Sequence, residues 1–174
     1  FALEGMAKAL AGNVINGQAP SGADGRSWPM RIKMLRGEKL VHTAGPLGMA
    51  DIFTLFYFHI LKHDPKKPDM PERDRVVLSN GHICPVLYAT MAHSGYFPLS
   101  ELLTLRKFKS RLQGHPHREF LPMLETSSGP LGSGLSQSVG MAIADRMDSG
   151  KTSSRFFYCF TGDGELDEGQ NWEA

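Results

Sequence analysis

Two short apolar runs, each breaking into a glycine turn, constrain this chain more than any other feature. The first is RVVLS, Arg75–Ser79, stopped by NGH; the second is RFFYCF, Arg155–Phe160, stopped by TGDG. β-Branched and aromatic residues in short runs bounded by Asn, Asp and Gly predict strands. Between them CPVLYATMAHSG, Cys84–Gly95, has helical spacing and puts Gly95 where a helix C-terminus takes a left-handed residue. GPLGSG, Gly129–Gly134, leads into LSQSVGMAIADRMDSG, which reads as a helix of small residues closing at Gly150. Ser100 in the N-cap role predicts a shorter helix through about Phe108. Ahead of the first strand, a helix-length apolar segment from about Pro46 to His63 is followed by the polar, proline-rich DPKKPDMPERD. Strands alternating with helices predict an α/β domain, a largely parallel sheet flanked by helices, with ligands at the carboxyl ends of the strands.

Composition narrows the partners. With 41% hydrophobic and 21% charged residues, the chain can bury a core and lies outside the range of disordered sequences. Nineteen Lys and Arg against eighteen Asp and Glu leave +1 without a long run of one sign, so neither nucleic acid nor a membrane surface is indicated as a partner. The most apolar stretch, Met49–Leu61, is too short to span a bilayer and carries Asp51 and His59. Cys84 and Cys159 lie far apart in apolar contexts, which predicts free buried thiols and a reducing, cytoplasmic compartment. The sequence opens on Phe1 and stops in NWEA, which reads as the first turn of a helix; the expectation is a fragment with machinery beyond residue 174.

Three features carry chemistry. Gly162, Asp163 and Gly164 place a carboxylate at the end of the second strand, between glycines that let backbone N–H groups approach a phosphate. A carboxylate there suits a hard octahedral cation bridging a diphosphate, although the tripeptide alone also makes an ordinary surface turn. GPLGSG is a second glycine loop directly before a helix, where free N–H groups bind anions or polar ring edges, although taken alone it reads more readily as a plain helix start with a tight turn. His42, His82 and His115 sit in the turn sequences HTAG, NGH and QGHPH, unlike His59 in its apolar segment. His115 and His117 lack the further ligands that a zinc site requires.

In order, LVHTAGPLGMADI, DRVVLSNGH, LRKFKSRLQGHPH, ETSSGPLGSGLSQSVGMAIA and GDGELDEGQNWEA resemble the N-terminal domain of transketolases. These thiamin-diphosphate enzymes move two-carbon ketol units between sugar phosphates. SRLQGHP and GDGELDEGQ are most similar to the N-terminal subunit of the two-subunit bacterial and archaeal type. The resemblance covers residues 39–174, expected to be a thiamin-diphosphate-binding domain truncated at its C-terminus, and leaves residues 1–38 unassigned.

By that resemblance, Asp163 is a ligand of the Mg²⁺ or Ca²⁺ that bridges the cofactor's phosphates, and Gly164 offers its N–H to the diphosphate. Gly129 and Leu131 contact the aminopyrimidine and thiazolium rings through their backbone. His82 lies at the diphosphate, while His42 and His115 face the sugar donor's hydroxyls and the developing oxyanion. Glu168 holds the place of an acidic residue at the subunit interface that couples two active sites. The resemblance also implies sugar-phosphate substrates, a C-terminal section or subunit carrying the glutamate that activates the aminopyrimidine, a second metal ligand beyond residue 174, and assembly as a homodimer or heterotetramer. HTAGPLG departs from the family's Gly-His-Pro-Gly around the first histidine. The alternatives are a 2-oxoacid dehydrogenase component, a deoxyxylulose phosphate synthase, or a non-catalytic assembly subunit. QGHP followed by ETSSGPLG argues against the first two, and the intact histidines with Asp163 argue against the third.

Overall fold

The computed structural model describes residue 42 and residues 44–174; the unassigned residues 1–38 and the start of the first motif lie outside the described residues. The predicted strands are present as β1 (Arg75–Leu78) and β2 (Phe157–Phe160), paired in parallel with Arg75 opposite Phe157 and Leu78 opposite Phe160. A parallel pair needs a long crossover, and the helices between the two runs provide it.

Ahead of β1, the apolar segment is helical but interrupted. It forms α1 (Ala44–Gly48), α2 (Ala50–Leu55) and a π turn, Phe56–Ile60, closed by the Leu61 N–H to the Phe56 carbonyl at 2.8 Å. Tyr158 and Phe160 share one face of β2 because they are two residues apart. Against that face Phe53 meets Phe160 with ring centroids 4.6 Å apart, and Phe56 meets Tyr158 edge-on at 4.8 Å. Such edge-on pairs add about 0.5–1.5 kcal/mol to the burial itself. Among the described residues no helix is long and apolar enough to cross a membrane.

Helix α3 (Cys84–Ser94) is the centre of the core. Pro85 in its first turn has no N–H to leave unpaired, and every residue from Cys84 to Ala92 is buried, so the helix needs no polar face. Gly95 ends it at φ 100°: the Gly95 N–H reaches the Met91 and Ala92 carbonyls and the Tyr96 N–H returns to Met91, each at 3.1 Å. A residue with a Cβ would be strained there. The Cys84 thiol donates to the Gly114 carbonyl at 3.2 Å, and burial pushes its pKa up to about 12. Cys159 is also free but only partly buried, short of the full burial expected of it.

The helix expected from Ser100 to Phe108 is instead a 3-10 stretch, Leu99–Thr104, that follows Pro98 and has Ser100 inside it without a capping role. Arg106 (φ 58°) and Lys109 (φ 65°) are left-handed, which prevents helical continuation. The buried side chains of Leu102, Leu105, Leu112 and Leu121 anchor the loop instead.

Helix α4 (Ser133–Ser149) starts after Gly132 at φ 84° and stops at Gly150 at φ 62°. It buries Gly134, Ser138 and Asp145. A Cβ on Gly134 would fall 2.4 Å from the Cβ of Ser79 and 2.7 Å from its Cα, so glycine alone lets the start of α4 abut the end of β1. At the other end of the sheet Asp74, 2% exposed, accepts the Lys62 N–H at 2.9 Å and the Phe156 N–H at 2.8 Å, and Asp145 pairs with Arg155. The entries of both strands are thereby tied together.

Gly134→Ala should cost about 1–3 kcal/mol, the range for overpacking against a backbone that cannot retreat. Urea denaturation reads this directly, and a midpoint equal to that of the unmodified protein would contradict the close approach.

Candidate active site

The site grows out of the strand ends. Because Leu78 pairs with Phe160 and the Ser79 N–H donates to the Phe160 carbonyl at 2.9 Å, the turns leaving β1 and β2 emerge side by side. Asn80 and Gly162 are neighbours there, with a Cβ on Gly162 falling 3.8 Å from the Cβ of Asn80.

The NGH turn becomes a 3-10 turn, Gly81–Ile83, that carries His82. A Cβ on Gly81 would lie 2.8 Å from the Ser128 hydroxyl and 3.2 Å from the Gly129 nitrogen, so this glycine brings the GPLGSG loop against the exit of β1. His42 meets His82 with ring centroids 4.9 Å apart, and the ring of His115 lies 3.8 Å from where a Cβ on Gly129 would be. His42, His82 and Arg106 share one recess with Gly114. Three histidines from three separate turns are thus gathered beside Gly129.

Their electrostatics follow from the gathering. Partial desolvation lowers the pKa of His82, and the neighbouring His42 lowers it further against an opposing pull from Glu165. His115 is lowered likewise, first by desolvation and then by His82, Arg106 and His42. Both are therefore neutral at pH 7, each offering one N–H donor and one acceptor nitrogen.

Asp163 and Gly164 follow β2 after Thr161 and Gly162, exposed, with a 3-10 turn from Gly164 to Asp167. A Cβ on Gly164 would meet nothing within 4 Å, so the protein's own packing does not demand glycine; the position leaves room for something outside the chain to come close. The buried Asn80 Oδ1 and Ser128 Oγ have no hydrogen-bond partner among the described residues, and both flank these turns. An exposed carboxylate, an open glycine and two unanswered polar atoms suit a polar, phosphate-bearing ligand. Among the described residues no three His, Cys, Asp or Glu side chains gather to hold a metal ion, so a cation at Asp163 would need oxygens from the ligand as well.

Glu168 packs on the GPLGSG loop, its Cβ 3.0 Å from where a Cβ on Gly132 would be, and the Leu131 carbonyl accepts the Gln170 side-chain amide. The start of α4 departs from the expectation of free N–H groups. Gly132 donates to the Glu165 carboxylate at 2.6 Å and Gly134 to the Ser79 hydroxyl at 3.1 Å, so these donors are already used inside the protein. Glu165 and Ser79 were not singled out by the sequence; an acid after Gly-Asp-Gly reads as a surface residue until its burial is known.

A parallel strand pair flanked by helices, with glycine turns converging where the strands end, defines an α/β domain of the class that binds ligands at its strand ends. The family described as the transketolase, thiamine diphosphate binding domain matches residues 31–174, and the chain belongs to that family. The 6-deoxy-6-sulfo-D-fructose transketolase subunit of a Clostridium species is 43% identical over 76% of this chain and 47% of that protein. Transketolase 2 of Escherichia coli is 41% identical over 76% of this chain and 21% of its own length. The chain therefore spans about half the length of the relatives named as transketolase subunits and about a fifth of that of Transketolase 2. Among solved structures, transketolase from Leishmania mexicana matches with a TM-score of 0.78 at 34% identity, over 83% of this chain and 23% of that one.

Followed by NMR, the imidazoles of His82 and His115 should titrate below the usual 6.5. The unfolded chain then takes up these two protons first, so they reduce stability as pH falls from 6.5 through the folded values. A midpoint at or above 6.5 for either ring would contradict the gathered arrangement.

Proposed function

We propose that this chain supplies the diphosphate-binding part of an enzyme that transfers a two-carbon ketol unit from a ketose phosphate to an aldose phosphate, with thiamin diphosphate and Mg²⁺ or Ca²⁺ held at Asp163. The observation that carries the reading is the gathering of His42, His82 and His115 beside the Gly129 loop, at the same strand ends from which Asp163 and Gly164 emerge.

In this reading the Asp163 carboxylate would ligate the cation, and Gly164, where an added Cβ would meet nothing within 4 Å, would offer its N–H to the diphosphate. Backbone groups of Gly129 and Leu131 border the cofactor's rings. Thiamin diphosphate, when bound, supplies the nucleophilic carbon that carries the two-carbon unit. The protein's own task is to orient the sugar and manage its protons. His115, neutral at pH 7, and His42 can donate to the donor's carbonyl oxygen as charge develops there, and His115 can also accept from its hydroxyls, while His82 serves the diphosphate side. Glu168 lies at the contact with the second active site. A C-terminal section or subunit completes the machinery, in a homodimer or heterotetramer, and the free thiols Cys84 and Cys159 favour the cytoplasm.

In the assembled enzyme, Asp163→Ala should raise the Kd for thiamin diphosphate with Mg²⁺ by about 100-fold or more, since even outer-shell groups at metal sites cost about 10–100-fold. Calorimetric titration measures it, and an unchanged Kd would remove Asp163 from the metal site.

His115→Ala should lower kcat for ketol transfer between xylulose 5-phosphate and ribose 5-phosphate by about 100-fold, with a much smaller change in cofactor affinity. The reverse pattern, weakened cofactor binding with normal turnover at saturation, would put His115 at the phosphate end.

A further inference from the structure

Glu165 stands next to the proposed metal-binding turn yet is 2% exposed, the reverse of what an acid in a glycine-rich surface turn should be. Its carboxylate takes three donors from three segments. Oε1 accepts the Gly132 N–H at 2.6 Å and the Ser79 hydroxyl; Oε2 accepts the Gly162 N–H at 3.0 Å. Ser79 is itself engaged, accepting the Gly134 N–H at 3.1 Å. The Glu165 backbone carbonyl accepts the buried Asn171 side-chain amide, which fixes the residue from its other side.

These three segments are the end of β1, the GPLGSG loop entering α4, and the Thr161–Gly164 turn leaving β2. They are the same segments that border the proposed cofactor, approached from inside the protein. The start of a 17-residue helix, which carries partial positive charge, thus faces a carboxylate built into the chain rather than an external anion. We propose that Glu165 is a positioning residue that sets the spacing between the Gly162–Gly164 turn and the Gly129–Gly134 loop before any cofactor arrives, so that phosphates and rings find both at the correct separation. This rests on the reading of the site given under Proposed function. Preorganised backbone donors gain binding strength because nothing must be reordered when the ligand enters.

The test uses the assembled enzyme. Glu165→Gln keeps the shape of the side chain but turns an NH₂ group toward at least one N–H or O–H donor that the carboxylate satisfied. It should raise the Kd for thiamin diphosphate with Mg²⁺ at least tenfold and speed amide hydrogen exchange at Gly132 and Gly162 in the cofactor-free protein. Its effect on cofactor affinity should exceed its effect on kcat at saturating cofactor. A general loss of structure would instead speed exchange along β1 and β2 as well, and that pattern with an unchanged Kd overturns the proposal. Asp163→Ala is measured in parallel. If it weakens binding while Glu165→Gln leaves Kd within twofold, the positioning role fails and the site stands. If neither variant changes Kd, the site reading itself fails, and the positioning role with it. Should Glu165→Gln not fold, Ser79→Ala, which removes one donor, decides: Kd rising threefold or more supports the clasp, and an unchanged Kd overturns it.

Discussion

Three backbone segments meet on one buried carboxylate, and the arrangement of the strand ends depends on that meeting. A lone buried charge is unfavourable by several kcal/mol. Glu165 is tolerated because two backbone N–H groups and a hydroxyl face it and a helix start lies behind one of them. Once those contacts form, the chain leaving β2 has little freedom: the turn is tied to α4, and α4 is tied to β1 by the missing Cβ of Gly134. The register of two four-residue strands therefore dictates where a turn outside the sheet will stand.

The histidines obey a different logic. None sits on a long helix. Each is delivered by a short turn, and the turns approach one another because Gly81 and Gly129 present no side chains where they touch. Partial desolvation, with neighbouring imidazoles close to His82 and with imidazoles and Arg106 close to His115, disfavours adding a proton to either ring, so the packing that builds the cluster also keeps His82 and His115 neutral. Charge state and geometry come from one cause.

Local signals in the sequence were legible where structure is local. β1, β2, α3 and α4 lie where apolar runs, helical spacing, Gly95 and Gly150 place them, and the five motifs already pointed to the family that the comparisons bear out. The stretch after Pro98 differs from the α-helix that Ser100 as an N-cap predicts; its leucines pin a loop, and the left-handed Arg106 and Lys109 could not be foreseen from residue types that rarely adopt that conformation. Glu165 was illegible for another reason. Whether an acid after Gly-Asp-Gly faces water or a helix start depends on a partner 33 positions earlier, Gly132, and no window around residue 165 contains that information. The same long-range pairing consumed N–H groups that looked available for a ligand.

Arg106 illustrates how such a fold stores tension beside its chemistry. A non-glycine residue at φ 58° sits in a sparsely populated region that costs of order 1–3 kcal/mol, here held by its N–H bond to the Leu112 carbonyl at 2.8 Å. The same guanidinium crowds Gly114 and helps depress the proton affinity of His115. Glycine at 106 would relax the backbone and take away the cation, leaving His115 more basic. One side chain at this position therefore links the strain of a loop to the proton affinity of a histidine on another turn.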